Sequence, residues 1–158
     1  MRKPPGTETR SSRTVKILSV SPTDADHAAL CRILREPRTQ EETNCRWKVC
    51  AIRTAASTAK ALAKEEVPIV ISESDLLPGT WRTILQIVSL LPDPPLLIVA
   101  SRMADERLWA EALNLGAWDV LAKPFDTGEV IRIVASAWRH WQDRRGLGTK
   151  WKAAASGA

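Results

Sequence analysis

Tyrosine is absent from the 158 residues and phenylalanine occurs once, so the aromatic content rests on seven tryptophans. Cysteine is scarce as well. Cys31, Cys45 and Cys50 are odd in number and lack CxxC spacing, which argues against a disulfide framework and for reduced thiols. The only histidines, His27 and His140, fall on helical stretches with no cysteine or histidine at ligand spacing, so both read as surface residues rather than metal ligands. No apolar run reaches the roughly 18 residues that a membrane helix needs. The basic start "MRKPPGTETRSSR" leads into no apolar stretch and so is no signal peptide. No glycine-rich loop follows the first apolar run and no GxSxG occurs, which removes the usual phosphate-loop and serine-nucleophile chemistries. A cytoplasmic protein that is not an enzyme is the expectation.

What is present is the composition of a globular domain: 44% apolar and 26% charged residues, in a length suited to one core. The net charge of +5 sits at the ends. Residues 1–16 sum to +4 and residues 139–158 to +4, leaving 17–138 at −3. Solvated basic tails explain this better than a nucleic-acid face, for which no motif is present. We expect a disordered basic tail over 1–13, a domain over 14–142 and a second basic tail over 143–158. No specific nucleic acid and no membrane are expected as partners.

Between the tails, short β-branched runs alternate with helical patterns. Strands are expected at 14–20, 47–53, 67–72, 94–101 and 118–122, and helices at 21–35, 55–65, 80–91, 104–116 and from 126 through Trp141. In the first helix Ala28, Cys31, Ile33 and Leu34 follow part of a helical period, and Ser21-Pro22-Thr23-Asp24 reads as its start, with Ser21 as N-cap. The stretch "EPRTQEETNC" (36–45) reads as a loop too charged to pack. "DTGE" (126–129) resembles a capping box, and Gly116 suits a left-handed helix end. The alternation gives an α/β fold, (βα)5, with a doubly wound parallel sheet whose functional crevice lies at the carboxyl ends of the strands. Glu73 stands there, at the tip of "PIVISE".

"GAWDVLAKPFDTGEVIRIV" (116–134) and "PPLLIVASRMADERLWAEALNLGA" (94–117) resemble the closing half of the receiver domain of two-component response regulators, and the resemblance extends over about 14–142. It implies the flavodoxin-like strand order 2-1-3-4-5. It also implies an acceptor Asp ending the third strand, an acidic pair after the first strand that holds Mg²⁺, a Thr or Ser ending the fourth, and a Lys before a cis-proline after the fifth. Strand alignment sets Glu73 at the acceptor position; counting back from Pro78 would select Ser74 instead. Ser21 and Pro22 replace the acidic pair, and Ala100 takes the hydroxyl position, with Ser101 one place on and turned away. Lys123 and Pro124 are retained. Val120 replaces the switch aromatic, with Trp118 two residues earlier.

Mg²⁺ needs carboxylates and near-octahedral oxygen geometry, and Ser21 with Pro22 offers no carboxylate. A Glu nucleophile is a methylene too long for the position of Asp. The resemblance therefore implies a degenerate receiver, without a cofactor, that acts by protein–protein interaction. Glu73 is long enough to pair with Lys123 and so fix one signalling conformation. The tail after Arg145 is too short for an output domain, which suggests a stand-alone module. The implied partners are a histidine kinase or a downstream signalling protein, or a second copy joined through the fourth helix, fifth strand and fifth helix. Trp109, Trp118, Trp138 and Trp141 are candidates for that interface; a stripe such as the one holding Trp138 and Trp141 normally belongs to the core, and for Trp109 and Trp141 the two readings weigh equally. An alternative keeps phosphorylation, on Glu73 or Asp75. A small nucleotide-binding or enzymatic α/β protein is a third reading, and Asp24 reads as part of the helix start rather than a metal ligand.

Overall fold

In a computed structural model, backbone is described for residues 13–156 and side chains for 13–146. The chain order is β1 (Arg13–Val20), α1 (Asp24–Leu34), α2 (Pro37–Thr43), β2 (Cys45–Ile52), α3 (Ala55–Lys64), β3 (Ile69–Glu73), α4 (Trp81–Ser89), β4 (Leu96–Ser101), α5 (Glu106–Leu115), β5 (Asp119–Ala122) and α6 (Thr127–Ser156). All strands pair in parallel in the order β2-β1-β3-β4-β5.

β3 and β4 are apolar on both faces because both faces are covered, whereas the edge strand β2 alternates and leaves Arg46 and Lys48 exposed. Ile17, Ile69, Ile71, Ile98 and Leu121 point to one cluster, closed by Leu30 and Ile33 of α1 and by Val130, Val134 and Trp138 of α6. Leu18, Val20, Val70, Leu97 and Val99 point to the other, closed by Leu62 of α3, by Trp81 and Ile84 of α4, and by Ala112 of α5. Burying each large aliphatic side chain contributes about 1.5–3 kcal/mol, so the two-sided sheet is the main source of stability. Among the described residues no helix is long and apolar enough to cross a membrane.

Local signals set several boundaries. Thr80 caps α4 with a reciprocal Thr80–Thr83 box. Gly116 closes α5 at φ +112°, a conformation that glycine adopts without strain. Asp126 accepts from the Glu129 backbone N–H at 2.9 Å and so starts α6.

Four expectations fail here. Residues 37–43 are helical, not a loop. Their apolar signal is missing because two threonines do the packing: Thr39 and Thr43 are buried, and their hydroxyls donate to Ile33 O and Thr39 O at 2.7 Å each. Ser21 is not the N-cap of α1. Thr23 occupies that place, without a side-chain cap bond, and the Ser21 hydroxyl two residues before it accepts from the Thr23 N–H. His27 is not a surface residue: it is buried with Leu30, Ile33 and Leu34 on the inner face of α1, whereas Ala28 is exposed. Trp138 and Trp141 are buried, at 5% and 4% exposure, and so are unavailable to a partner. Trp138 meets Trp47 edge to face at 5.5 Å, and Trp141 lies under the guanidinium groups of Arg144 and Arg145.

The helix that holds them continues past Trp141. Arg144 reaches Asp93 at 3.0 Å and the Pro94 carbonyl at 2.7 Å, and Arg145 pairs with Glu66 and Asp93. These contacts fasten α6 to the turn before β4 and to the connection between α3 and β3. Of the tail expected over 1–13, Arg13 opens β1 and the rest lies outside the described residues.

Candidate functional site

Parallel strands end together, so the carboxyl ends of β1, β3, β4 and β5 bring distant residues into one crevice. Glu73, the last residue of β3, stands in register with Ala100 of β4. Lys123 follows β5 in a cis peptide with Pro124, and its ammonium forms an ion pair with Glu73. The same ammonium donates to Asp26 Oδ2 at 2.7 Å. All three side chains are largely enclosed: 10% exposed for Lys123, 13% for Glu73 and 15% for Asp26. Two carboxylates thus share one cation in a poorly solvated crevice, where such pairs are screened little by salt.

Asp26 is the member that sequence reasoning missed. It comes from the first turn of α1, and Asp24, considered in its place, faces outward to pair with Arg53. Burial pushes the Asp26 pKa up. The hydrogen bonds from Lys123, Ser21 and Thr23, together with the charge of Lys123, outweigh burial and hold the group below the ordinary aspartate value. A signal was available: Asp26 lies two residues beyond Asp24 at the amino end of a helix that begins where β1 opens into the crevice. The charge at the other end of its bond, however, is 97 residues away.

Ser21 organises this corner. Its hydroxyl donates to Asp26 Oδ2 at 2.7 Å and accepts from the Thr23 N–H at 3.2 Å. Its carbonyl is 3.0 Å from His27 Nε2, while His27 Nδ1 lies 2.8 Å from Ser19 Oγ. A carbonyl only accepts, so Nε2 donates to it, and with Ser19 Oγ at Nδ1 both ring nitrogens have a hydrogen-bond partner. Pro22 is exposed, and its carbonyl accepts from Arg53.

On the opposite face of the strand ends, Ser74 and Ser101 are both buried with their hydroxyls 2.9 Å apart, and Ser74 Oγ lies 3.3 Å from Glu73 Oε1. Ser101 Oγ also accepts from the Met103 N–H at 3.0 Å. Ser101 therefore reaches Glu73 only through Ser74. Asp75 is exposed, in the cleft between α4 and α5, with no ion pair to Lys123. Trp118 is half-buried and stacks on exposed His140 at 4.7 Å, and Trp109 is 52% exposed.

No family model matches the sequence. The two-component response regulator-like protein APRR1 of Arabidopsis thaliana is 30% identical over 111 residues, covering 67% of this chain and 17% of APRR1. The regulatory protein VirG of Agrobacterium fabrum is 29% identical over 93 residues, 59% of this chain and 37% of VirG. The chain thus spans well under half of either relative. The signal receiver domain of an HD domain-containing protein from Pseudomonas fluorescens Pf-5 superposes with a TM-score of 0.66 at 24% identity, over 85% of this chain and 94% of that one. The strand order, the crevice and these likenesses agree.

The chain contains a response-regulator receiver domain.

In this receiver the carboxyl-end crevice gathers Glu73, Asp26, Lys123 and Ser21 and leaves Asp75 outside. Its fifth strand is flanked by α5 and α6, which are the fourth and fifth helices of the sequence-based count because α2 was unforeseen.

Proposed function

We propose that this receiver domain takes part in two-component signalling by binding other proteins, with its crevice held in one state and without ordinary aspartyl phosphorylation. The observation that carries this reading is the Lys123 ammonium shared between Glu73 and Asp26. No aspartate ends β3. The one carboxylate there is already neutralised and is longer than an aspartate. The donor set does not suit Mg²⁺. Ser21 and Pro22 supply no carboxylate where the family's acidic pair would stand, and the two carboxylates that do converge hold an ammonium between them. A metal at this point would have to displace the Lys123 ammonium from both carboxylates. Of the alternative acceptors, Glu73 alone faces Lys123.

A histidine kinase or a downstream signalling protein remains the expected class of partner. The exposed Trp109 beside β5 favours the α5–β5–α6 face for that contact or for self-association.

The test is the intact mass of the folded protein after incubation with acetyl phosphate and Mg²⁺. We expect no added phosphoryl group. One added group, lost on Glu73→Gln, would overturn the proposal.

A further inference from the structure

We infer that the flank formed by α3 and the edge strand β2 is a docking surface for an acidic segment of a partner protein. This flank lies outside the crevice and uses none of Lys123, Glu73 and Asp26, so the inference stands apart from the reading above.

The first observation is a groove of about 340 Å³ between α3 and the outer two strands. Its apolar wall is Leu18, Ile52, Ala61 and Val67, with Cys50 half-buried beside them. The second is the charge around it. Lys48 sits in register with Lys16 on the adjacent strand, so their side chains leave the same face a strand spacing apart. Lys60 and Lys64 stand one helical turn apart on α3, where like charges repel. Glu65 is the acid of the groove and is taken by Lys16. Lys48, Lys60 and Lys64 have no ion-pair partner among the described residues. A cluster of like charges around an apolar slot, with only Lys16 held in an ion pair, calls for an anionic partner that also carries an apolar group. The third observation is topological. Among the described residues β2 is the edge of the sheet, so one side of its backbone pairs with no described strand and can take an added extended segment.

An acidic peptide satisfies all three: carboxylates on the lysines, one large apolar side chain in the slot, and main-chain hydrogen bonds along β2. A nucleic acid would leave the slot empty, and no aromatic side chain lines it for base stacking.

The experiment measures fluorescence anisotropy of the full chain with a labelled acetylated peptide of roughly eight residues that alternates glutamate with leucine or valine. A lysine counterpart of that peptide, a single-stranded oligonucleotide and phosphatidylserine vesicles serve as competing probes. We expect saturable binding of the acidic peptide that weakens at higher salt. Binding should weaken at least about tenfold in Lys60→Glu/Lys64→Glu, since both lysines are exposed and fold-neutral, and should shift the NMR amide signals of Lys48–Ile52. Lys60→Gln/Lys64→Gln repeats the test without reversing charge. Absence of peptide binding, binding indifferent to both double variants, or lysine-dependent binding of the oligonucleotide or vesicles in place of the peptide would each overturn the inference.

Discussion

Lys123 Nζ lies 2.7 Å from Asp26 Oδ2, joining the first turn of α1 to the loop after β5, and the same ammonium pairs with Glu73 at the end of β3. Three elements that bound the crevice are therefore tied through one cation. Under the function proposed above, it is this tie that holds the crevice in one arrangement.

Replacing Glu73 by Gln should cost about 1–3 kcal/mol of stability. That is less than the loss from breaking an isolated buried ion pair, because Lys123 keeps Asp26. Urea unfolding at neutral pH measures it. A variant as stable as the wild type would show that the Glu73–Lys123 pair contributes nothing net.

Asp26→Asn should lose a similar amount at pH 7, and the loss should depend on pH. The folded-state pKa of Asp26 lies below its ordinary value of 3.8. A depressed carboxylate stabilises the fold above its unfolded pKa, and that contribution disappears as pH falls through the folded pKa. The gap between wild type and Asp26→Asn should thus be full at neutral pH, begin to close near the ordinary value and vanish below the depressed one. Denaturation midpoints at a series of pH values would reveal it; a pH-independent gap would contradict the assignment.

Gly79 and Gly116 both have positive φ, +95° and +112°, but differ in surroundings. A Cβ at Gly79 would come within 2.7 Å of Thr83 Oγ1, disturbing the capping box of α4, whereas one at Gly116 meets nothing within 4 Å. Gly116→Ala should cost about 1 kcal/mol from backbone conformation alone, and Gly79→Ala clearly more. Thermal unfolding of the two variants side by side decides it, and equal shifts would refute the steric part.

Among the tryptophans, Trp138→Ala should destabilise by about 3–5 kcal/mol, as it empties a core site and removes the edge-to-face contact with Trp47. Trp109→Ala should change stability by less than about 0.5 kcal/mol. A large loss at Trp109 would mean that its exposed ring is structural rather than available for contact.

How much of this was legible in the sequence varies with the physics involved. The inner strands could be read because a doubly covered parallel strand must be apolar on both faces, β2 by its half-buried alternation, and Gly116 and "DTGE" announced their helix ends by local backbone chemistry. The helix at 37–43 could not be read by hydrophobic pattern, since Thr39 and Thr43 bury methyl groups while returning their hydroxyls to the backbone. His27 looked like a surface residue because a histidine spelled among polar residues carries no mark of burial; Ser19 and the Ser21 carbonyl, which accommodate it, lie across a turn.

The sequence by itself determined the alternation of strands and helices, the absence of an aspartate at the end of β3, and the presence of Lys123 before Pro124. Those are properties of short segments, governed by periodicity and residue type. Only the tertiary structure decided which carboxylates the lysine would meet, that Trp138 and Trp141 belong to the core, and that the lysines of β1, β2 and α3 crowd one groove. Such outcomes depend on side chains tens of residues apart arriving on the same face of a sheet, and no local pattern encodes the distance between them.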